Sequence, residues 1–596
     1  MTPLDLVAAG LGQDAAGLVA VAHPAAALRL WLETIGTPVP SAAPSPSATP
    51  ASFGSNVFGF SFLLSPLVWG PAVMAGVIGL MPNPRRRYER WFLGIALATS
   101  LSVLFLTLIG YQQFQAFTTG PQFEEKLPWL PAIGVTYHLG VDGVGISMLL
   151  LSALIGVCAV LASWEVRDRP RAYFALLLLV EGSVNGAVVS RDFFLLFLFW
   201  SAAAVPLALL VLGWSGAWRA TGAAWRLLAY WGVGSAALLA AGLLLYQAAG
   251  ASDFDLDTLT RATPSSRLEL VIAILLLVAA ASRLPLVPLH GWAREVLAEA
   301  PAGVAILTTG VAARLGGYIL IRLMAAGEHN ASRTLAPYIS GLAVLTVAYA
   351  ALAALRSSDV RRMAAYLALV PGAITALGVA GLSPLSIEGA VLSLFTGGMA
   401  AALLVGAAAT LTARAQTRAL SLAAGLAGRM PKLAWLLLAG AVAILGIPFL
   451  ASFPAVLMVF LGSFRNQPVG AFLVAAGLVL TAGAVGWMLH RVLFGTANPD
   501  APTPSDASLS ESWYLGILVG ALLWVGLVPG GPKLFGVPLF DPGLVTVINS
   551  TAPDLASPYV VPSPAAASPS PSASPGASPS ASPAASASPA TPQPSP

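Results

Sequence analysis

Long apolar segments joined by short polar links make up most of this chain. From about residue 57 to residue 530, each segment has roughly the 20 residues that a helix needs to cross ~30 Å of hydrocarbon. Fourteen such segments are predicted, at residues 57–81, 92–111, 144–163, 172–190, 193–213, 226–248, 268–288, 301–323, 335–355, 363–382, 387–412, 433–463, 470–490 and 513–530. The pattern predicts an all-α polytopic membrane protein with about 14 transmembrane helices.

The composition agrees with a membrane protein and excludes a soluble one. Hydrophobic residues make up 57% of the 596 residues and charged residues 9%, and the mean hydropathy is +0.82, a profile typical of membrane proteins. The formal charge of +4 gives no indication of nucleic-acid binding. The single cysteine, Cys158, excludes an intramolecular disulfide and a thiolate metal site. The sequence also has no glycine-rich phosphate loop, so no cofactor or metal is expected on this chain.

The basic residues are distributed unevenly between alternate links. Eighteen Lys or Arg residues lie in the links after odd-numbered segments, and seven lie in the opposite links and the C-terminal part. Lys and Arg accumulate on the cytoplasmic side of membrane proteins. The first set is therefore predicted to be cytoplasmic and both termini extracytoplasmic, in a cell membrane of bacterial type.

The two ends differ from the apolar middle. Residues 1–55 are rich in Ala and Pro and lack a charged segment before an apolar core, so a cleaved signal peptide is not expected. The last residues of 532–596 are almost all Ser, Pro and Ala, a composition that buries too little apolar surface to offset its ordering entropy. The predicted domains are an extension at 1–55, a transmembrane domain at 56–531 and an extracytoplasmic segment at 532–596 with a disordered tail.

Two apolar segments contain helix-breaking residues. Pro285 and Pro288 lie in the seventh segment, and Gly446 and Pro448 lie in the twelfth. Proline removes a backbone donor and clashes with the preceding turn, so both helices are expected to be broken inside the membrane. Broken helices in corresponding halves of a transporter are typical of inverted repeats with a site at the midplane. The repeats are predicted at helices four to eight and nine to thirteen.

Three charged side chains lie inside apolar segments and away from the segment ends. Arg283 adjoins the first break, Arg314 lies in the middle of the eighth segment, and Glu181 lies in the fourth. A charged residue at the bilayer centre costs ~2.5–3.5 kcal/mol on insertion scales, so each of the three is a functional-site hypothesis. The structural alternatives are arginines that snorkel or tighten the bundle, and a buried glutamate that pairs with an arginine.

Several separated motifs point to one family. They are residues 283–292, 299–301, 315–318 and 322, with further segments at 123–129, 137–143, 192–206, 356–366 and 489–495. These motifs resemble the proton-antiporter-like subunits of respiratory complex I, a family shared with Mrp-type antiporters, and especially the subunit called M. In the loop at 137–143, His138 and Asp142 are predicted to cap and hydrogen-bond the loop, since two residues cannot make a closed metal site. Asp192 is predicted to stabilise the start of the fifth helix.

The resemblance implies a proton path through paired half-channels. This chain differs from the family at several residues that carry charge along that path. The family has a glutamate after the Trp of helix five, where this chain has Ser201, and an acid in helix twelve, where it has Val456. The family's lysines on helices seven and eight align with Arg283 and Arg314. Serine does not ionise and arginine keeps its proton, so neither replaces a group that gains and loses one.

Histidine positions differ from the family as well. Two family histidines align with Pro371 and Gly397, neither of which titrates, whereas His290 is present in the first motif and is a further ion-path candidate. The ion path is therefore predicted to be degenerate, with Glu181 as the remaining candidate for a proton route.

The resemblance implies a membrane subunit of an NADH–quinone oxidoreductase-like complex, of the subunit M type, in an assembly that couples electron transfer to proton translocation. FMN, iron–sulfur clusters and quinone are expected on partner subunits, and the partners are other membrane subunits and lipid. This chain is predicted to assemble like subunit M but to translocate protons poorly or not at all by the usual route. The alternatives are a subunit of an Mrp-type antiporter or membrane-bound hydrogenase complex, and a structural paralogue that does not pump.

Overall fold

The computed structural model describes residues 62–82, 89–116, 120–215, 219–262, 264–325, 329–419, 425–494 and 505–527, with 533–534, 537–538 and 547. The predicted extension at 1–55 and the predicted tail at the chain's end lie outside the described residues. Helices account for most of the described part.

The first part of the fold contains four long helices and one hairpin. The helices are α1 (Leu64–Leu80), α2 (Glu89–Gln113), α3 (Gly143–Ala162) and α4 (Pro170–Val189). Strands β1 (Gln122–Leu130) and β2 (Val135–Val141) lie between α2 and α3 and pair antiparallel. This hairpin was not predicted: the link between the second and third helices folds on itself and satisfies its backbone groups as a ladder.

The middle of the chain contains many short helical pieces. They are α5 (Phe193–Ala202), α6 (Ala204–Trp214), α7 (Arg219–Ala249), α8 (Leu256–Thr260), α9 (Ser266–Arg283), α10 (Gly291–Glu299), α11 (Ala302–Leu307) and α12 (Leu315–Ile319). Two π-helical segments, Thr308–Ala312 and Leu320–Ala325, flank α12. Such segments are rare and occur frequently at functional sites.

The last part of the described chain repeats this alternation of long and interrupted helices. Its helices are α13 (His329–Arg356), α14 (Val360–Leu367), α15 (Val370–Ala380), α16 (Pro384–Arg414), α17 (Leu426–Arg429), α18 (Pro431–Leu445), α19 (Ser452–Phe464), α20 (Pro468–Phe494) and α21 (Leu509–Leu527). Two short strands, β3 (Lys533–Leu534) and β4 (Val537–Pro538), follow.

Local sequence explains where several helices begin and end. Asp142 caps α3 by accepting from the backbone N–H of Gly145 at 2.9 Å, and Asp192 caps α5 through two backbone N–H groups. These caps confirm the structural roles predicted for both residues, because a carboxylate satisfies the unpaired donors of a helix start. The helix α18 ends where Gly446 adopts a left-handed conformation, with φ of +65°, which glycine reaches without steric cost.

Eleven helical stretches of the described chain are long and apolar enough to cross a membrane. Three further apolar helices, α1, α18 and α19, are shorter. Helices overlap every predicted segment, but the count of fourteen crossings, the inverted repeats and the side of each terminus stay predictions. The chain is a mostly helical, multi-pass membrane protein.

The most buried helices lie at the centre of the bundle. The stretches 302–324, 360–380 and 384–414 are buried almost throughout, whereas only about a third of α2, α20 and α21 is buried. Large apolar side chains such as Trp435 and Phe472 are exposed on outer helices, as lipid contact requires. The eighth predicted segment, which carries Arg314, is therefore a central element of the protein.

Close packing between α5 and α7 depends on one glycine. We expect Gly242→Ala to lower the free energy of unfolding by ~1–3 kcal/mol, because a Cβ at Gly242 would lie 1.8 Å from Cε1 of Phe193 and force the ring to move. Gly232→Ala on the same helix is the matched control, since nothing lies within 4 Å of its Cβ position. Thermal unfolding of the purified protein should separate the two variants, and equal losses would contradict this packing.

Candidate ion path within the membrane

Arg283 is the last residue of α9, and its side chain is completely buried. Its guanidinium carbon lies 4.3 Å from the ring centre of Trp200 and 3.9 Å from that of Trp231. One N–H group donates to the carbonyl oxygen of Trp200, while Nε and Nη1 have no hydrogen-bond partner in the described part of the chain. Two indole faces and one carbonyl, rather than a carboxylate, therefore hold this charge, and a desolvated cation–π contact contributes ~2 kcal/mol.

The carbonyl of Trp200 accepts this bond because it lies in the last turn of α5. Carbonyl groups at a helix C-terminus have no partner within the helix and carry its negative dipole end. The interruption between α5 and α6, at Ala203, thus creates the acceptor. Ser201, which occupies the position of the family's acid, is the next residue along, and its Oγ has no partner among the described residues.

Tryptophan also anchors the break that follows Arg283. The helix ends at Arg283 and α10 begins at Gly291, so Pro285 and Pro288 both lie in the connection. Nε1 of Trp292 donates to the carbonyl oxygen of Ser282 at 2.7 Å and thereby spans the break. The Trp292 ring also packs edge-on against Trp231, at 5.2 Å between ring centres. The guanidinium site is therefore fixed from both sides of the break.

Arg314 occupies a similar environment between a π-helical segment and α12. Its side chain is buried, and it donates from Nε to the carbonyl oxygen of Thr309 at 3.1 Å and from Nη2 to that of Ala368 at 3.5 Å. Ala368 lies at the interruption between α14 and α15, where a helix end again leaves a carbonyl free. No carboxylate forms an ion pair with Arg283 or Arg314 within the described ranges.

The second break contains no charged group. Gly446 and Pro448 lie in the connection between α18 and α19. A Cβ at Gly446 would lie 2.7 Å from Cγ2 of Val456, so the side chain at the position of the family's acid packs against the break. The hydroxyl of Ser452 is buried without a hydrogen-bond partner among the described residues. Neither the Val456 side chain nor the Ser452 side chain gains or loses a proton in the accessible pH range.

Glu181 is buried on α4, away from any described arginine partner. Its Oε2 accepts from the hydroxyl of Ser100 on α2 at 2.7 Å, and Oε1 has no partner among the described residues. Gly156 on α3 gives the carboxyl its space, since a Cβ there would lie 2.4 Å from Oε1. The alternative in which this glutamate pairs with an arginine is not observed in the described structure.

His290 lies at the end of the first break and leads into a row of aromatic rings. Its ring packs edge-on against Tyr349 at 4.3 Å between centres, and Tyr349 packs against Tyr366 at 5.9 Å. The ring Nδ1 of His290 has no side-chain partner in the described part. This row leads from the break to Tyr366, which lines a polar cavity together with Arg294.

The family model described as NADH:quinone oxidoreductase/Mrp antiporter, TM, matches residues 190–485. An NAD(P)H-quinone oxidoreductase chain 4 of Microcystis aeruginosa is 33% identical over 444 residues, covering 73% of this chain and 80% of that protein. The chain belongs to this antiporter-like membrane family. The F(420)H(2) dehydrogenase subunit M of Methanosarcina mazei is 32% identical, covering 73% of this chain and 90% of that one.

Solved members of antiporter-like complexes share the fold. A chain of respiratory complex I from Thermus thermophilus has a TM-score of 0.72 and 25% identity, covering 83% of this chain and 99% of that chain. A chain of the Mrp complex from Dietzia sp. has a TM-score of 0.73 at 20% identity, covering 83% of this chain and 98% of that chain. The second likeness concerns the fold alone.

This family member contains functional-site candidates that sequence reasoning missed. Glu388 lies near the start of α16, half-buried, with no hydrogen bond or ion pair to another described residue. Like Glu181, Glu388 is the single acid of an apolar segment, and this pattern is visible in the sequence. The ion pair between Arg322 and Asp142 was also missed, because 180 residues separate its partners and only the folded chain joins them.

The hairpin region forms a separate polar cluster. His138 bonds through Nδ1 to Asp255 at 2.9 Å and through Nε2 to Glu124 at 3.1 Å. Burial acts to raise the pKa of Asp255, but the hydrogen bond and charge of His138 outweigh it and hold that pKa below its ordinary value. These contacts confirm that His138 is a structural residue of the loop.

Proposed function

We propose that this chain is the subunit M-type membrane subunit of an NADH–quinone oxidoreductase-like complex in a bacterial-type cell membrane. Relatives named as chain 4 of NAD(P)H-quinone oxidoreductase and as subunit M of F(420)H(2) dehydrogenase support the assignment. In this proposal FMN, iron–sulfur clusters and quinone bind to partner subunits, and the chain contributes to the coupling of electron transfer to ion movement. Its contacts would be with other membrane subunits and with lipid.

We further propose that the chain's own proton path is degenerate. This proposal rests on the two buried arginines, Arg283 and Arg314, whose described partners are carbonyl oxygens and indole rings. A guanidinium keeps its proton at all accessible pH values, so both positions hold a fixed positive charge. With Ser201 and Val456 in place of acids, no neighbour can take a proton from either site.

The arrangement of interruptions supports the proposed inverted repeats. The fifth and tenth predicted helices are both interrupted, at Ala203 and at 368–369, and so are the seventh and twelfth. The sixth and eleventh, α7 and α16, each have 31 residues. Each interruption at helices five and ten supplies a carbonyl to one buried arginine. Arg283 and Arg314 both lie in the first predicted repeat, on helices seven and eight, and Arg314 reaches across to helix ten of the second.

The test of the proposal measures partners and protons together. The native complex is extracted in mild detergent through a tag on this chain, and its subunits are identified by mass spectrometry. Recovery of NADH- or quinone-handling subunits is expected. After reconstitution, the proton-to-electron ratio should be lower than in a matched complex whose subunit M carries the acid and lysines. An equal ratio would end the degenerate-path proposal.

Glu181→Gln tests the buried acid of α4. We expect the variant to leave the proton-to-electron ratio of the reconstituted complex unchanged, because Glu181 has no titratable partner among the described residues. Gln keeps the shape and can accept from Ser100, so assembly should be preserved. The control is Glu165→Gln, an exposed acid that pairs with Arg414. A lower ratio in Glu181→Gln alone would reveal a route through Glu181.

A second candidate function is an Mrp-type antiporter or membrane-bound hydrogenase subunit. The fold is similar to that of the Mrp chain, with a TM-score of 0.73, and this likeness supports the second candidate. A membrane-bound sulfane sulfur reductase chain also matches, with a TM-score of 0.69. Co-purification separates these candidates, because antiporter or hydrogenase subunits would replace quinone-handling ones. A complex I-like partner set without a contribution to pumping would identify a structural paralogue.

A further inference from the structure

A cavity of about 490 Å³ opens between α7, α10 and the start of α14. Four of the side chains in its wall are arginines, namely Arg219, Arg226, Arg294 and Arg362. They come from three helices that are far apart in sequence, so the fold brings them together. A water molecule occupies about 30 Å³ in the liquid, which leaves room here for a phosphate group with water around it.

The glutamates of the wall do not neutralise these arginines. Glu295 is shared, since its Oε1 contacts Arg226 and lies 3.3 Å from Nη2 of Arg294. Glu299 is engaged by Arg418, at 2.8 Å from Nη1 to Oε2. Arg418 lies outside the lining of the cavity. The wall therefore keeps an excess of positive charge.

The guanidinium groups are accessible from the cavity. The side chains of Arg226, Arg294 and Arg362 are 51%, 43% and 43% exposed, so each can reach a ligand. A guanidinium carries five N–H donors in a planar fork, and one carboxylate shared by two arginines occupies only some of them. Such forks match the oxygens of a phosphate group and bind it through paired hydrogen bonds.

The cavity also has the features of a membrane–water interface. Its arginines all lie in links on the side predicted to be cytoplasmic. Trp225, next to Arg226 on α7, is 67% exposed, and exposed tryptophans concentrate at the level of lipid headgroups. Gly222, one turn earlier on the same helix, meets nothing within 4 Å of its Cβ position and leaves the wall open. Basic pockets between helices at this level suit anionic lipid headgroups.

We propose that this cavity binds the phosphate group of an anionic phospholipid from the cytoplasmic leaflet. The bound phosphate lies among Arg226, Arg294 and Arg362 and draws α7, α10 and α14 together. Because the lipid binds the folded protein and not the unfolded one, it stabilises the fold in proportion to its occupancy. The proposal is independent of whether the chain moves protons.

The test measures thermal unfolding of the purified native complex after delipidation and addition of defined lipids. Phosphatidylglycerol is expected to raise the unfolding temperature of this subunit, and phosphatidylcholine is not. The variant Arg226→Gln/Arg362→Gln should weaken the phosphatidylglycerol response about tenfold in lipid concentration, because each replaced guanidinium removes charge-assisted bonds. Arg171→Gln is the control, since Arg171 is an exposed arginine of the same predicted face that lies outside the cavity.

Further measurements distinguish a lipid phosphate from a soluble phosphate, and a lipid from a partner subunit. Inorganic phosphate that reproduces the full stabilisation would overturn the lipid source in favour of a soluble anion. An equal response to phosphatidylcholine, or an unchanged response in the double variant, would overturn the site. Should the double variant fail to assemble, Arg362→Gln alone replaces it, because Arg362 contacts only Asp359 among the described ion pairs, at 3.9 Å. A partner subunit found over the cavity in the complex would overturn the proposal too.

Discussion

Combining Ser201→Glu with Arg283→Lys is expected to give this chain a proton-exchanging pair that it lacks. Ser201 adjoins Trp200, whose carbonyl Arg283 binds, so an acid there would lie beside the cation. A buried lysine can lose its proton, whereas arginine cannot. Only the double variant places two groups that gain and lose protons next to each other. We expect it to transport protons faster than the native chain, although Val456 still interrupts the path further along.

Four proteins make this test complete: the native chain, both single variants and the double variant. Infrared difference spectra report whether the new carboxyl group changes protonation as the pH is varied, and proton flux is measured in reconstituted vesicles. Ser201→Glu alone should stay ionised next to the fixed charge of Arg283. Arg283→Lys alone has no new acid to exchange with. A single variant that matched the double one would refute the pairing.

Asp142→Asn is expected to lower the free energy of unfolding by ~3–5 kcal/mol, the usual effect of removing one partner of a buried ion pair. Asp142 and Arg322 are both mostly buried and form an ion pair. Asn keeps an oxygen that can cap α3, so the loss would come from Arg322, whose Nε and Nη2 already lack partners among the described residues. Thermal unfolding of the purified protein measures the change.

The same pair predicts a pH dependence. Burial acts to raise the pKa of Asp142, but the charges of Arg322 and Arg191 outweigh it and hold that pKa below its ordinary value of 3.8. Because the folded-state pKa is the lower one, the stabilisation is present above about pH 4 and is lost as the pH falls through the folded-state value. The difference between native and Asp142→Asn should shrink in that acid range.

The control for Asp142→Asn is Asp168→Asn. Asp168 pairs with Arg169 at 3.0 Å, and both side chains are more than half exposed. Exposed pairs contribute ~0–1 kcal/mol, so this variant should be almost neutral. A similar loss in both variants would show that negative charge in general, and not the buried pair, stabilises the protein.

Apolar patterning predicts helices well in this protein and predicts other structure poorly. The helices fall at the predicted segments because a chain in hydrocarbon must bond its own backbone, which leaves few alternatives to the helix. The hairpin of β1 and β2 was missed because it lies in a link, where turn chemistry decides the structure. The interruption at 203 was missed as well, since the segment around it is continuously apolar.

The sequence alone determined the membrane class, the family resemblance and the identity of the substituted residues. Arg283, Arg314, Ser201 and Val456 can be read directly from the chain, and so can the loss of titratable groups, because protonation chemistry belongs to the residue type. Local caps such as Asp192 could also be predicted, since a helix start needs an acceptor within a few residues.

Only the tertiary structure decided what compensates each buried charge. The carbonyl of Trp200 is available to Arg283 because α5 ends there, and the faces of Trp200 and Trp231 meet the guanidinium because α5, α7 and α9 pack together. The pairing of Arg322 with Asp142 spans 180 residues in the same way. Such partners depend on the distances between helices. The packing of the whole bundle sets those distances, so they cannot be predicted from the local sequence.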